Sequence, residues 1–272
     1  MNPSTSKPMV FVDVQGTLIS DEDKSPIEGS VAFMRFLREE GIPYMVVTNN
    51  TKYASATFIE MLNARGYGID KAHYLDPLMM LDTLIAHKNV AVYGNSDFLE
   101  NMQALGYDLD FEKPTAVIVG LKPDYTNEDF AQMIEFLLKG AKLIGMHATT
   151  LYAKNSKRYP GTAAILEMLK TATSVPYTIV GKPSVPFYAQ AKKMLEDVTH
   201  KTITYEDILM ISDDVKGDLV GAKELGMRTL FVLSGKYRHA DEILPKLPIH
   251  EHPDDIKAHL GEVLQHMQGV TR

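Results

Sequence analysis

The chain has 272 residues, 45% hydrophobic and 23% charged, enough for one large or two ordinary domains with a substantial core. A formal net charge of −7 argues against a non-specific binder of nucleic acid or anionic membrane, since both need a basic face. With no cysteine, disulfides, thiolate metal sites and Cys nucleophiles are excluded.

The opening stretch Met1 to Pro8 lacks the apolar core of a signal peptide, and no run reaches membrane-spanning length, so a soluble, cytoplasmic protein is expected. Val10-Phe11-Val12 is a short apolar run ending in Asp13 and Gly16, which reads as a buried strand opening into a loop. A polar loop over 20–26 precedes Val31, Phe33, Met34, Phe36 and Leu37, whose spacing predicts a helix stopped by Gly41. Tyr44 to Val47 is a second strand, ending at Thr48-Asn49-Asn50, and a helix over about 54–64 closes at Gly66.

Further strands are expected at 90–94, 116–120 and 142–145, with helices near 98–105 and 128–138. Thr149 to Gly161 is polar, aromatic and basic, and reads as a solvated connection or a substrate-lining loop before a helix over 162–170. Tyr177 to Val180 leads into Gly181-Lys182-Pro183, followed by a helix over about 185–195. Ile208 to Ile211 ends at Ser212-Asp213-Asp214, a helix runs from Asp218 to Leu225, and Thr229 to Leu233 is the next strand. One last helix is expected from Glu251 to Gln268. This alternation builds parallel sheets.

Four strand ends therefore carry Asp13, Thr48, Lys182 and Asp213. If those strands are neighbours in one sheet, the four groups converge on one crevice beyond the carboxyl ends. Each suits phosphoryl transfer. Asp13 can attack phosphorus and carry an aspartyl-phosphate. Asp13 and Asp213, with Asp214 or Asp218 nearby, offer the oxygen-rich site that Mg²⁺ prefers. Lys182 can screen anionic oxygens, and Thr48 beside a helix N-terminus can grip them. Taken singly, Ser212-Asp213-Asp214 reads as a helix cap, Lys182 as a loop lysine and Thr48-Asn49-Asn50 as a turn. Their joint occurrence at successive strand ends favours an active site.

Asp13-Val14-Gln15-Gly16-Thr17-Leu18 resembles the DxDGT motif of the haloacid dehalogenase (HAD) superfamily. Thr48-Asn49-Asn50, Gly181-Lys182-Pro183 and Ser212-Asp213-Asp214 through Asp218 resemble its other three motifs, in the pattern of subclass IIA, the NagD-like and 4-nitrophenylphosphatase-like phosphatases. The resemblance spans nearly the whole chain. It implies an α/β fold: a Rossmann-like parallel-sheet core from 1–80 and 181–272, with an inserted α/β (C2-type) cap from 81–180. It implies Mg²⁺ held by Asp13, Asp213 and the Gln15 backbone carbonyl and supported by Asp218, less directly by Asp214. Thr48, Asn49, Asn50 and Lys182 would bind the phosphate of a small phosphorylated substrate. A homodimer through the cap would be compatible, with neither nucleic acid nor membrane as partner. His147, in Met146-His147-Ala148-Thr149 where relatives usually carry Ala-Thr-Asn, would either touch the leaving group or serve structure.

One departure stands out. The family's phosphatases carry a second Asp at position 15, which protonates the leaving oxygen and then activates water; here it is Gln15. A primary amide does neither. Three outcomes follow: turnover restricted to good leaving groups, a replacement proton donor such as His147, or a phosphate-ligand binder. Slowed hydrolysis would also suit transfer to an acceptor other than water.

Overall fold

The computed structural model describes residues 9–154 and 157–270; Met1 to Pro8, read above for a targeting signal, and Asn155-Ser156 of the basic connection lie outside them. In chain order the strands are β1 (Met9–Val12), β2 (Tyr44–Val47), β3 (Tyr74–Leu75), β4 (Asn89–Tyr93), β5 (Asp108–Leu109), β6 (Ala116–Val119) and β7 (Lys142–Gly145). They continue as β8 (Leu151–Lys154), β9 (Lys157–Pro160), β10 (Tyr177–Ile179), β11 (Ile208–Ser212), β12 (Arg228–Val232) and β13 (Asp255–Lys257). The helices are α1 (Ser30–Glu39), α2 (Ser55–Asn63), α3 (Pro77–Leu84), α4 (Ser96–Ala104), α5 (Asn127–Leu138), α6 (Thr162–Thr173), α7 (Val185–Thr199), α8 (Val220–Glu224) and α9 (Leu260–Val270). Among the described residues no helix is long and apolar enough to cross a membrane.

The chain divides into two compact units, one of Met1–Thr48, Ala56–Leu75 and Tyr188–Arg272, the other of Asn49–Ser55 and Asp76–Phe187. The first unit is built on six parallel strands in the order β13-β12-β11-β1-β2-β3. β1 lies between β11 and β2, with Val12 opposite Ile211 on one side and Val46 on the other. A parallel strand covered on both faces must be apolar along its whole length, and Val10, Phe11, Val12, Met45, Val46, Val47, Met210 and Ile211 are all fully buried. α1 turns Phe33, Met34, Phe36 and Leu37 inward and packs against α9.

The second unit has its own parallel sheet, in the order β10-β7-β6-β4-β5, plus the antiparallel pair β8-β9. Its core sets Val117, Val119 and Leu143 of the sheet against Met133, Phe136 and Leu137 of α5 and Ile165, Leu166 and Leu169 of α6. The α/β class and the parallel sheets read from the sequence are both present.

Four local expectations are corrected. The four strand ends do not share a sheet: β11, β1 and β2 are neighbours, but β10, which leads to Lys182, is an edge strand of the second unit's sheet, paired with β7. Hydrophobic periodicity is local and does not say which sheet a strand joins. The stretch read as a solvated connection after Thr149 contains the hairpin β8-β9, with Leu151 opposite Pro160 and Ala153 opposite Arg158, because antiparallel pairing satisfies its backbone polar groups. The last helix starts at Leu260 rather than near Glu251; Pro253 interrupts helical bonding, and Asp255–Lys257 adds a strand beside β12. The helix expected from Asp218 is preceded by a wide π-type turn over Val215–Leu219, in which the Leu219 N–H reaches the Asp214 carbonyl at 3.3 Å.

Candidate active site

β1 fixes the first acid. The Asp13 N–H donates to the Ile211 carbonyl at 2.9 Å, so the ladder still holds the residue's backbone one position beyond the strand. The chain then folds back on itself: the Leu18 and Ile19 N–H groups reach the Val14 carbonyl at 2.8 and 3.0 Å, and the Gly16 N–H reaches Ile19 at 2.8 Å. Gly16 makes this turn with φ +77°, where a side chain is strained. A Cβ on Gly16 would lie 2.1 Å from Asp213 Oδ2. One on Gly235 would lie 2.1 Å from the same oxygen and 2.4 Å from the Gly16 Cα. Two glycines thus let two loops close on one carboxylate. Gly16→Ala is expected to cost at least the 1–2 kcal/mol, roughly, of a left-handed alanine and so to lower the melting temperature by several degrees. A melt unchanged within one degree would show that the loops part freely.

At the end of β11 each residue of Ser212-Asp213-Asp214 has a distinct job. The Ser212 hydroxyl donates to Asp218 Oδ2 at 2.6 Å and accepts from the Asp214 N–H at 3.1 Å. The Asp213 N–H donates to Thr17 Oγ1 at 3.1 Å, tying β11 to the turn after β1. Asp214 caps the π-type turn, accepting from the Gly217 N–H at 3.0 Å, so its helix-capping reading is what the fold realises. Lys236 serves both acids: its N–H donates to Asp213 Oδ2 at 2.6 Å and its ammonium to Asp214 Oδ2 at 2.7 Å. The Tyr188 hydroxyl donates to the Asp218 carbonyl at 2.9 Å.

The electrostatics follow from burial. Asp13 is 5% exposed and Asp213 is 4% exposed. Burial, and then the neighbouring Asp13 carboxylate, push the Asp213 carboxyl well above the usual carboxylate range; the Lys236 N–H opposes this, and Asp214 and Asp218 add to it. Burial draws the Lys236 ammonium down, but Asp214, by its charge and its hydrogen bond, together with Tyr237 and Asp213 leaves Lys236 above its ordinary value. Burial first, then Asp218, Asp13 and Asp214, raise the Tyr188 phenol well above its ordinary value.

Thr48 stands one residue beyond β2, its N–H donating to the Leu75 carbonyl at 3.1 Å. Its hydroxyl donates to Gln15 Oε1 at 2.7 Å. Asp13, Gln15, Thr48, Asp213, Asp214 and Asp218 all belong to the first unit, at the carboxyl ends of three adjacent strands. Asn49, Asn50, His147 and Lys182 belong to the second.

In the second unit Lys182 is 2% exposed, and Asn49 holds its backbone: Oδ1 accepts the Lys182 N–H at 2.8 Å and Nδ2 donates to the Lys182 carbonyl at 3.3 Å. Asn50 treats Tyr53 the same way, accepting its N–H at 3.1 Å and donating to its carbonyl at 2.7 Å. His147 is buried, with Nδ1 accepting the Thr149 N–H and Nε2 facing Thr162 Oγ1, each at 3.4 Å. Burial pulls its pKa down to about 4, so the ring is neutral at pH 7 and holds a turn against the start of α6.

Among the described residues, no group of three or more His, Cys, Asp or Glu side chains could hold a metal unaided. The donors still fit Mg²⁺, which takes few carboxylates and fills its six positions with carbonyl, water and phosphate oxygens. Two buried carboxylates at adjacent strand ends, one raising the other, are a charge excess that a divalent cation would offset. The sequence alone gives Gly235 and Lys236 no part in the site, and marks Thr17 and Ser212 only as members of their motifs. The one available signal was Ser234-Gly235 directly after an apolar strand; no sequence spacing shows that Lys236 meets residues over twenty positions earlier.

Residues 10–108 match the family model of haloacid dehalogenase-like hydrolases, and residues 179–263 match a second, HAD-hydrolase-like model. The Bos taurus haloacid dehalogenase-like hydrolase domain-containing protein 2 is 30% identical over 236 residues, 86% of this chain and 86% of that protein. The structure of p-nitrophenyl phosphatase from Archaeoglobus fulgidus superimposes with a TM-score of 0.80 at 20% identity, over 96% of this chain and 100% of that one. NagD from E. coli K-12 gives a TM-score of 0.73 at 21% identity, over 94% and 97% of the two chains.

Proposed function

The chain belongs to the haloacid dehalogenase-like hydrolases, and from that premise we propose that it is a Mg²⁺-dependent phosphomonoester hydrolase working through an aspartyl-phosphate on Asp13. The observation that supports this most is the grouping of Asp13, Thr48 and Asp213 at the carboxyl ends of three adjacent parallel strands. The substrate is a small phosphorylated metabolite of the sugar- or nucleotide-phosphate class. Asp13 and Asp213, with the Gln15 carbonyl, would hold Mg²⁺, which neutralises charge on the phosphoryl oxygens.

A carboxylate oxygen of Asp13 attacks phosphorus, the bond to the leaving oxygen breaks, and water then attacks phosphorus to return Asp13 and free phosphate. To grip the phosphate, the Thr48 hydroxyl would turn to it from Gln15 Oε1. The assignment of Lys182 to screening the phosphate rests on the family resemblance. Gln15 cannot protonate the leaving oxygen, and a buried His147 that is neutral at pH 7 is a poor substitute. The leaving group must therefore depart as an anion, which favours activated esters.

Phosphate release from a panel of alkyl and aryl phosphomonoesters with Mg²⁺ tests this reading. Turnover is expected on the aryl ester and far less on the alkyl esters; no release from any of them would overturn it. A second reading, phosphate-ligand binding without turnover, is favoured by the Thr48 hydroxyl being engaged by Gln15. Calorimetric binding of a phosphorylated metabolite with no phosphate released would select it.

A further inference from the structure

We propose that Asn49 is a positioning residue, acting on the reaction through Lys182 rather than by touching the substrate phosphate; the consequence for turnover rests on the phosphatase reading above. β10 ends at Ile179, yet the chain beyond it stays tethered. The Val180 N–H donates to the Gly145 carbonyl at 2.9 Å and the Gly181 N–H to the Met146 carbonyl at 3.0 Å. At Lys182 the backbone partner changes to a side chain: Asn49 Oδ1 accepts the Lys182 N–H at 2.8 Å. The same carboxamide turns its Nδ2 to the Lys182 carbonyl at 3.3 Å. A single side chain, 133 residues away in sequence, thus replaces both hydrogen bonds that a neighbouring strand would supply.

The fit is close. A Cβ on Gly181 would lie 2.3 Å from Asn49 Oδ1, 2.7 Å from Pro77 Cγ and 2.8 Å from the Met146 carbonyl oxygen, so only glycine lets the carboxamide approach. The segment that carries Asn49 is itself fastened within the second unit. Asn50 clasps Tyr53, and Asn101 Nδ2 donates to the Thr51 and Lys52 carbonyls at 3.1 and 3.0 Å. Asn49 is therefore a fixed strut for the Lys182 backbone. Asparagine suits this position because it offers an acceptor and a donor at one end of a short side chain; aspartate lacks the donor and leucine lacks both.

Two measurements test the proposal on the full chain. Amide hydrogen exchange over residues 179–184 needs no turnover: in Asn49→Ala the Lys182 amide should exchange faster, on the order of tenfold for one lost hydrogen bond, with the melting temperature close to that of the parent. Unchanged exchange there would overturn the proposal. The second is a double-mutant cycle read as kcat/KM on an aryl phosphate. Asn49→Ala should lower it on the order of tenfold when Lys182 is present and less than about twofold in a Lys182→Ala background. Equal losses in both backgrounds would mean that Asn49 acts independently of Lys182, and would overturn the proposal. Faster exchange in Asn49→Ala, together with a parent protein that releases no phosphate, would uphold the strut and sink the phosphatase reading instead.

Discussion

Asp13→Asn should abolish phosphate release, with a loss on the order of 10⁴- to 10⁶-fold, the range seen when a covalent nucleophile is removed. The substitution is nearly isosteric and leaves the Asp13 N–H to Ile211 bond intact, so the strand end keeps its place. What disappears is the nucleophilic oxygen, and with it one of the charges that raise the Asp213 carboxyl. The variant should therefore melt at or above the temperature of the parent, a pairing of dead chemistry with undiminished stability that a folding defect would not produce. Turnover within tenfold of the parent would remove Asp13 from the mechanism.

Gln15→Asp should raise turnover on alkyl phosphates by about 10² to 10⁴, the usual worth of a general acid–base, and should change the aryl rate much less. An alkoxide is a poor leaving group and gains from a proton in the transition state; an activated phenolate needs little help. The change has a second effect. Asp is one methylene shorter than Gln and would retract from the Thr48 hydroxyl, now held at 2.7 Å, releasing that hydroxyl for the phosphate. Gln15→Glu separates the two effects, since it adds the acid while keeping the reach to Thr48. The deciding quantity is the ratio of alkyl to aryl rates. If Gln15→Asp leaves that ratio where it was, position 15 does not handle the leaving-group proton.

Much of the first unit was legible in the chain. Val10 to Val12, Tyr44 to Val47 and Ile208 to Ile211 read as buried strands because a parallel strand packed on both faces can carry no polar side chain along its length. For the same reason the first polar residues after each run mark the strand's end, which is how Asp13, Thr48 and the pair Ser212-Asp213 could be picked out. Short elements were harder. β3 and β5 have two residues each, too few for any periodicity, and β13 lies in a Pro-punctuated stretch that suggests a helix only when those prolines are ignored.

Composition, motif order and the apolar runs determined the α/β class, the parallel sheets and the acids at the strand ends, because each is a property of a few consecutive residues. Tertiary structure alone decided that Lys182 follows a strand of a different sheet from Asp13, Thr48 and Asp213. It alone showed that Asp214 caps a turn and pairs with Lys236, and that the Asn49 carboxamide is engaged with the Lys182 backbone. The physical reason is range. Burial and periodicity act through neighbours in sequence, whereas a hydrogen bond between Asp213 and Thr17, 196 residues apart, or one carboxylate's effect on another, exists only once the strands have been laid side by side.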